Sequence, residues 1–334
     1  MKKKPTLTVY MTNYNHSRFL KYSLKAVLEQ SYQPMEFIII DDCSTDNSLD
    51  VIEKFAEKYP IIKIIRNKKN RGVLYNVNRL VEMSKGDYVY GVAADDVIMP
   101  GFLEKTMAMF ERHPKAALCS TLSILLGEKG ENLGICPTPV VSKKSEYFSP
   151  GDSYRLIRDF GSWMMGNSVA FHRERLLNVG GFDQNLGSFS DGFIHLVLAL
   201  RHGVCYIPEP LAAWRRLDEG LAASTKSDVT LWLENKRRAA NIMRTEYSDL
   251  FPSEFISYFE RQQLFRALIT AKGSKEKREY LREVISIIYS KSKLSKFGWT
   301  GILNFTVLIR RSLDRFVSFL TYQLSKFKSA LRAG

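Results

Sequence analysis

A chain of 334 residues, 45% hydrophobic and 25% charged, falls in the globular range and is long enough for one large core with an appendage. Its four cysteines, Cys43, Cys119, Cys136 and Cys205, show no C-x-x-C spacing, which argues against a disulfide framework or a zinc site. The net charge of +14 is uneven: residues 226–334 hold 21 Lys and Arg against 10 Asp and Glu, so the C-terminal third attracts polyanions such as anionic lipid heads, lipid-linked phosphates or nucleic acid.

Lys2, Lys3 and Lys4 lead into Pro5 and a short β-branched run without a long apolar stretch, so no signal peptide is expected and the cytosol is the expected location. Leu7 to Thr12 then reads as a strand, and Ser17 to Gln30 carries Phe19, Leu20, Leu24, Val27 and Leu28 at helical spacing. The step repeats. Strands are expected at Phe37 to Ile40, Ile61 to Ile65 and Tyr88 to Val92, with helices at Ser48 to Lys58 and Val73 to Ser84. Near-continuous Ile and Val runs alternating with helices predict an α/β fold with a mostly parallel sheet covered on both faces.

Further on, a helix is expected at Gly101 to Arg112, a strand at Ala116 to Ser123 and a long loop from Gly127 to Gly151. Asn167 to Phe171 reads as a strand, Arg173 to Val179 as a helix, Gly180 to Asp183 as a turn and Phe193 to Arg201 as a helix. From about Thr230 the pattern is helical to the end. The expected division is a catalytic domain at 1–225, with halves near 1–112 and 113–225, and a basic helical region at 226–334.

In parallel sheets ligands bind outside the carboxyl ends of the strands, and polar clusters fall there after three of them. These are Thr12 to Asn15, Asp41 to Asp46, and Ala93 to Asp96. Adjacent carboxylates such as Asp95 and Asp96 suit a hard divalent cation that also takes phosphate oxygens, although an Asp before Met99-Pro100-Gly101 would equally cap the next helix. A second pair, Asp41 and Asp42, needs partners of its own. A uracil ring N–H could supply one, with Tyr14 stacked on the base, while Ser44 to Asp46 also reads as a turn opening a helix.

Taken together, Leu7 to Asn15, Asp41 to Asp46, Asn70-Arg71-Gly72 with Asn78, Gly86-Asp87-Tyr88 and Asp95-Asp96 with Pro100 resemble the inverting family 2 glycosyltransferases of GT-A fold. The resemblance continues through Gly180 to Asp183, Ser190-Asp191 and Gly203 through Ile207-Pro208-Glu209, and covers roughly residues 5–216. It implies that Thr12, Tyr14, Asp41 and Asp42 hold the nucleoside base, with Asn70 and Arg71 in the same nucleotide-binding set. Asp95 faces the ribose, Asp96 with Asp95 holds Mn2+ or Mg2+, and Asp191 is the general base. The donor implied is a UDP-sugar and the acceptor a glycan or lipid-linked molecule of bacterial surface polysaccharide synthesis.

Three positions depart from the pattern. Ala93 stands where relatives often carry an acidic residue ahead of the metal pair, and Ser190 where one often precedes the base. Trp214-Arg215-Arg216-Leu217 replaces an Arg followed by a spaced His, so the diphosphate charge falls to Arg215 or Arg216. Asp191 also has a structural reading, as the cap of the helix through Phe193, Val197 and Leu200. His195 and His202 receive no role.

From Ile302, apolar residues from Ile309 to Leu331 form one helical stripe opposite Arg310, Arg311 and Arg315, too short to span a bilayer. The stripe fits packing within the chain or on a second subunit, or peripheral attachment to an anionic membrane. Two other classes compete for the whole chain. A nucleotidyltransferase on a similar sheet would commonly have a Gly-rich loop after the first strand, and none is there. A nucleic-acid-binding protein using the basic tail leaves the three polar loops unexplained, so no nucleic acid is expected.

Overall fold

The computed structural model describes residues 4–217 and 228–270, with Lys275 and Glu279. The chain divides into two compact units, Met1–Asp218 and Glu219–Gly334. The first opens with the expected alternation: β1 (Leu7–Asn13), α1 (Ser17–Leu28), β2 (Glu36–Asp41), α2 (Ser48–Lys58), β3 (Ile62–Arg66), α3 (Val73–Met83) and β4 (Tyr88–Ala93). All six residues of β2 are buried, which explains why this strand reads as a continuous apolar run. α1 buries Phe19, Leu20, Leu24, Val27 and Leu28 and leaves Lys21, Tyr22 and Lys25 in solvent.

Next come β5 (Val97–Ile98), α4 (Phe102–Arg112), β6 (Leu118–Leu126), β7 (Asn132–Ile135), β8 (Glu146–Phe148) and α5 (Pro150–Phe160). A short 3-10 turn at Gly166–Ser168 leads into β9 (Val169–His172), followed by α6 (Arg173–Asn178), a 3-10 turn at Gln184–Phe189, α7 (Ser190–His202) and β10 (Val204–Arg215). The strands form one sheet in the order β3-β2-β1-β4-β9-β6-β10-β5, with β7 added on β6 and β8 on β10. β3, β2, β1 and β4 are mutually parallel, while β9 is antiparallel to both β4 and β6. β10 runs parallel to β6, and its other flank pairs antiparallel with β8 near its start and with β5 near its end.

The segment expected as a loop from Gly127 to Gly151 is instead partly ordered into β7, β8 and the start of α5. Both strands are short, and Gly134 interrupts the apolar pattern of β7, so periodicity carried little signal. α5 opens on a capping box: the Ser149 hydroxyl accepts from the Asp152 N–H at 3.2 Å, and the Asp152 carboxylate accepts from the Ser149 N–H at 3.2 Å. Pro150 at the first helical position looks like a breaker but suits a helix start.

The main core lies where α1, α4 and the sheet meet, with Val9, Met11, Leu20, Leu24, Phe37, Ile39, Phe102 and Phe110 buried. In the second unit, α8 (Val229–Thr245) is capped by Asp228, whose carboxylate accepts from the Leu231 N–H at 2.9 Å. α9 (Ser253–Thr270) follows; Leu233 packs with Leu264 and Ala267, and Arg244 pairs with Glu260 at 2.6 Å. These two helices match the helical pattern expected from Thr230, whereas the stripe from Ile302 lies outside the described residues. No helix among the described residues is long and apolar enough to cross a membrane.

Candidate active site at the carboxyl ends of the strands

The order β3-β2-β1-β4 reverses the sequence in which strands are added between β1 and β4, the point outside whose carboxyl ends ligands bind in such sheets. Thr12 sits in register with Ile40 on one side and Ala93 on the other, and Asn13 with Asp41. The three polar loops predicted from sequence are therefore neighbours. A fourth joins them. It follows β3 and spans Asn67 to Gly72, and its signal was the same one: polar residues directly after an apolar strand.

Asp42 organises that fourth loop. Its carboxylate, 3% exposed, accepts from the Asn67 amide at 2.7 Å, the Arg71 N–H at 2.9 Å and the Gly72 N–H at 2.9 Å. Burial pushes its pKa up, but hydrogen bonds, led by the Asn67 amide and joined by the Arg71 and Gly72 N–H groups, outweigh that and hold it below the ordinary range. Gly72, at φ +85°, accommodates the turn into α3, and the Asn70 side chain accepts from its N–H at 2.9 Å. The Arg71 guanidinium lies over the Tyr75 ring at 4.8 Å.

Asp41 is buried and faces the first loop, accepting from the Asn13 amide at 2.8 Å and the Ser44 hydroxyl at 2.6 Å. Asn15 braces the same turn through the Thr45 N–H at 2.8 Å. The capping reading of this acidic run falls on Asp46, which accepts from the Ser17 and Ser48 N–H groups at 2.9 and 3.0 Å. Tyr14, 43% exposed, leaves an aromatic face open beside these loops, and Thr12 is half-buried at the end of β1.

Asp95 and Asp96 follow β4. Asp96 is 5% exposed, and its Oδ1 accepts from the Arg215 N–H at 2.8 Å. Burial drives its pKa well above the usual carboxylate range, the neighbouring Asp95 charge adds to this, and the Arg215 N–H and guanidinium oppose it. The Ser23 hydroxyl of α1 donates to the carbonyls of Ala94 and Asp96 at 2.7 and 2.6 Å and fixes the turn from beneath. Among the described residues no group of three or more His, Cys, Asp or Glu gathers as an all-protein metal cage. A desolvated carboxylate beside a second one fits a cation such as Mg2+, which typically takes one or two carboxylates and completes its shell with substrate phosphate and water.

Arg215 differs from the expectation that placed it on a diphosphate. It is 6% exposed, and its guanidinium donates to the carbonyls of Asp95 at 2.9 Å, Gly127 at 3.2 Å and Glu128 at 2.9 Å. Arg216 is exposed, with its N–H on the Leu126 carbonyl at 2.9 Å.

Asp191 sits in the first turn of α7, half-buried, with Oδ1 accepting from the Gly192 N–H at 2.6 Å. Its Oδ2 approaches Gly166 so closely that a Cβ there would lie 2.2 Å away, so any larger residue at 166 would displace the carboxylate. That turn is tied to β4, because the Tyr90 hydroxyl donates to the Asn167 carbonyl at 2.8 Å. His195, one helical turn further, is buried and stacks on Phe171 at 5.6 Å. Asn78 of α3 reaches the segment ahead of α7: its amide donates to the Phe182 carbonyl and its oxygen accepts from the Phe182 N–H, both at 2.8 Å. Asn67, Ser23 and Gly166 were not singled out from sequence, since their roles depend on partners 25 to 73 residues away.

A mixed sheet with helices on both sides and acidic loops at the ends of β2 and β4 defines the GT-A class, and comparisons agree. The structure superposes on that of S. aureus TarS 1–349 in complex with UDP-GlcNAc with a TM-score of 0.63 at 16% identity, covering 84% of this chain and 81% of that one. The mannosyltransferase PcManGT from Pyrobaculum calidifontis, in complex with GDP-Man and Mn2+, gives 0.53 at 17% identity over 96% and 88% of the two chains. EpsE of Bacillus subtilis (strain 168), whose name assigns it provisionally to the glycosyltransferases, is 31% identical over 173 residues, 48% of this chain and 62% of its own length. The glucosyl-dolichyl phosphate glucuronosyltransferase of Haloferax volcanii is 27% identical over 197 residues, 55% of this chain and 58% of its own length. The chain thus spans less than two thirds of either relative. Residues 8–165 match Glycosyl transferase family 2, and the chain carries a family 2 glycosyltransferase domain of GT-A fold. Asp191, Arg215 and Arg216 lie beyond the matched residues.

Proposed function

We propose that this protein transfers a sugar, with inversion, from a UDP-sugar to a hydroxyl of a glycan or lipid-linked acceptor in bacterial surface polysaccharide synthesis, with Mn2+ or Mg2+ at Asp95 and Asp96. The observation that carries this reading is the buried Asp96 beside Asp95, one strand from the loops that would hold a nucleoside. In this reading Tyr14 stacks on the base, and Thr12, Asp41 and Asp42, with Asn70 and Arg71, shape its pocket. The cation neutralises the departing diphosphate. Arg216, the exposed member of the arginine pair, offers a further positive charge to that diphosphate.

Asp191 is the group to accept the proton of the attacking acceptor hydroxyl. It stands in the first turn of α7, where the Gly192 N–H orients its Oδ1 and leaves Oδ2 as the oxygen for that proton. The acceptor enters from the side of residues 113–225. The basic C-terminal region suits a lipid-phosphate acceptor or an anionic membrane surface as well as self-association, and its positive charge is the support for the first two.

The test is calorimetry with UDP and Mn2+, together with nucleotide release from a panel of sugar nucleotides. Asp96→Ala is expected to abolish metal-dependent UDP binding with the fold intact. Asp191→Asn is expected to bind donor normally and to lose transfer about 10²–10⁴-fold. Unchanged UDP affinity in the first variant sinks the metal assignment. Near wild-type transfer in the second returns Asp191 to a purely capping role.

A further inference from the structure

We infer that Arg215 is a positioning residue that clamps the Asp95-Asp96 turn to the hairpin between β6 and β7; the inference rests on the function proposed above. One residue makes the contacts, through its backbone N–H as well as its guanidinium. The Arg215 N–H binds the Asp96 carboxylate, and its Nε binds the carbonyl of Asp95, so the peptide joining the two acids is gripped from one residue. The Nη1 of the same guanidinium takes the carbonyls of Gly127 and Glu128 at the turn of the hairpin. Its plane rests on the Phe19 ring of α1 at 4.7 Å.

The backbone supplies the lever. β10 shifts register against β6 between Ile207 and Ala212, and its last part then pairs with both β6 and β5, through Ala212 with Ile98 and Ala213 with Val97. β5 begins one residue after Asp96. Arg215 therefore stands at a strand end that touches the acidic turn and the hairpin together. The hairpin has a second tie, an ion pair at 2.9 Å between Glu128 and Arg18, which lies in the first turn of α1 just after the loop that holds Tyr14. That pair is exposed and contributes little by itself. Its position links the hairpin to the first loop, so the clamp sets three walls of the donor crevice against one another.

A planar fork with donors in fixed directions can hold three carbonyls at once, and an ammonium cannot reproduce that geometry. This separates the clamp from a direct phosphate contact. Arg215→Lys keeps the charge and loses the fork; Arg215→Met loses both. In the full-length protein, the Mn2+ concentration that half-restores UDP binding is expected to rise about tenfold in both variants, with UDP affinity at saturating Mn2+ changed less than about threefold. Amide exchange in the ligand-free protein is expected to quicken at residues 95–98 and 127–131 and to stay unchanged in β2. If instead UDP affinity at saturating Mn2+ falls in the Met variant, is kept by Lys, and exchange is unaltered in both, Arg215 is a phosphate ligand and the clamp is wrong. Where Arg215→Lys fails to fold, Phe19→Leu removes the seat of the guanidinium and is expected to move the Mn2+ requirement in the same direction by a smaller factor; no movement overturns the inference. If the wild-type chain binds no UDP with Mn2+, the proposed function fails, while the exchange measurement still decides the clamp.

Discussion

Asp42→Asn separates recognition from architecture in the candidate site. The wild-type carboxylate is buried and receives three N–H donors: the Asn67 amide, the Arg71 N–H and the Gly72 N–H. Asparagine has nearly the same shape, but one oxygen becomes an NH2 that cannot accept. If the amide oxygen keeps Asn67 and Arg71, the nitrogen confronts the Gly72 N–H, and that bond is lost. Bonds to a charged acceptor contribute about 1.5–3 kcal/mol and neutral ones about 0.5–1.5, so one loss and two weakenings amount to roughly 3 kcal/mol. Relief from burying a charge offsets part of this. The loop at 67–72 should therefore loosen even without ligand. Guanidinium unfolding followed by circular dichroism, with amide exchange over residues 66–76, measures both the global and the local effect. A variant that unfolds at the wild-type midpoint, with unchanged exchange in the loop and a defect confined to UDP binding, would refute the reasoning and make Asp42 a recognition group alone.

Three further outcomes follow from the packing. Gly91→Ala places a Cβ 2.5 Å from the Tyr10 ring on the neighbouring strand and should cost about 1–3 kcal/mol by overpacking, with Tyr10→Leu in the same chain recovering part of it; equal losses with and without Tyr10→Leu contradict the contact. Ser149→Ala breaks the capping box of α5 and should lower stability by about 1 kcal/mol, read from the unfolding midpoint, whereas Ser149→Asp should retain most of it. Stability should decline on acidification, because Glu36 and Asp42 are both held below their ordinary values: burial raises each, and hydrogen bonds, led by Lys63 for Glu36 and by Asn67 for Asp42, more than reverse it. The unfolded chain then binds more protons, so this stabilisation is complete above the unfolded carboxylate range near ~4 and is lost as pH falls through the lower folded values. Asp96, raised by burial, acts in the opposite sense, so the melts are compared in an Asp96→Asn background, where stability level from about pH 6 to pH 3 would show that Glu36 and Asp42 are not held low.

The first four strands and three helices were legible because each apolar run serves one purpose, burial in a two-sided sheet, and because the polar loops after β1, β2 and β4 interrupt those runs abruptly. The family resemblance read from Asp41 to Asp46 and Asp95-Asp96 added the fold type. What the sequence hid is long-range. Nothing near Arg215 announces that its fork meets carbonyls at 95, 127 and 128. The hairpin of β7 was hidden for a different reason: four residues with a glycine among them leave no period to detect, and only pairing with β6 makes them a strand. The helix at Pro150 did carry a local signal, Ser149 followed three residues later by Asp152, which the surrounding Pro, Gly and Ser obscured.

The late strand β10 also bears on how the protein comes into being. During synthesis the four parallel strands and their helices are complete by residue 93, yet the N–H that meets the Asp96 carboxylate belongs to residue 215. Until that residue is available, the Asp96 carboxylate lacks the N–H that holds it, and β5 has no partner from β10. A nascent chain thus acquires its sheet early and its donor crevice late, since non-local pairing must wait for the chain that supplies it. The same order limits dissection: a fragment cut to residues 8–165, the stretch that matches the family, would keep both acids and lack the strand that orients them.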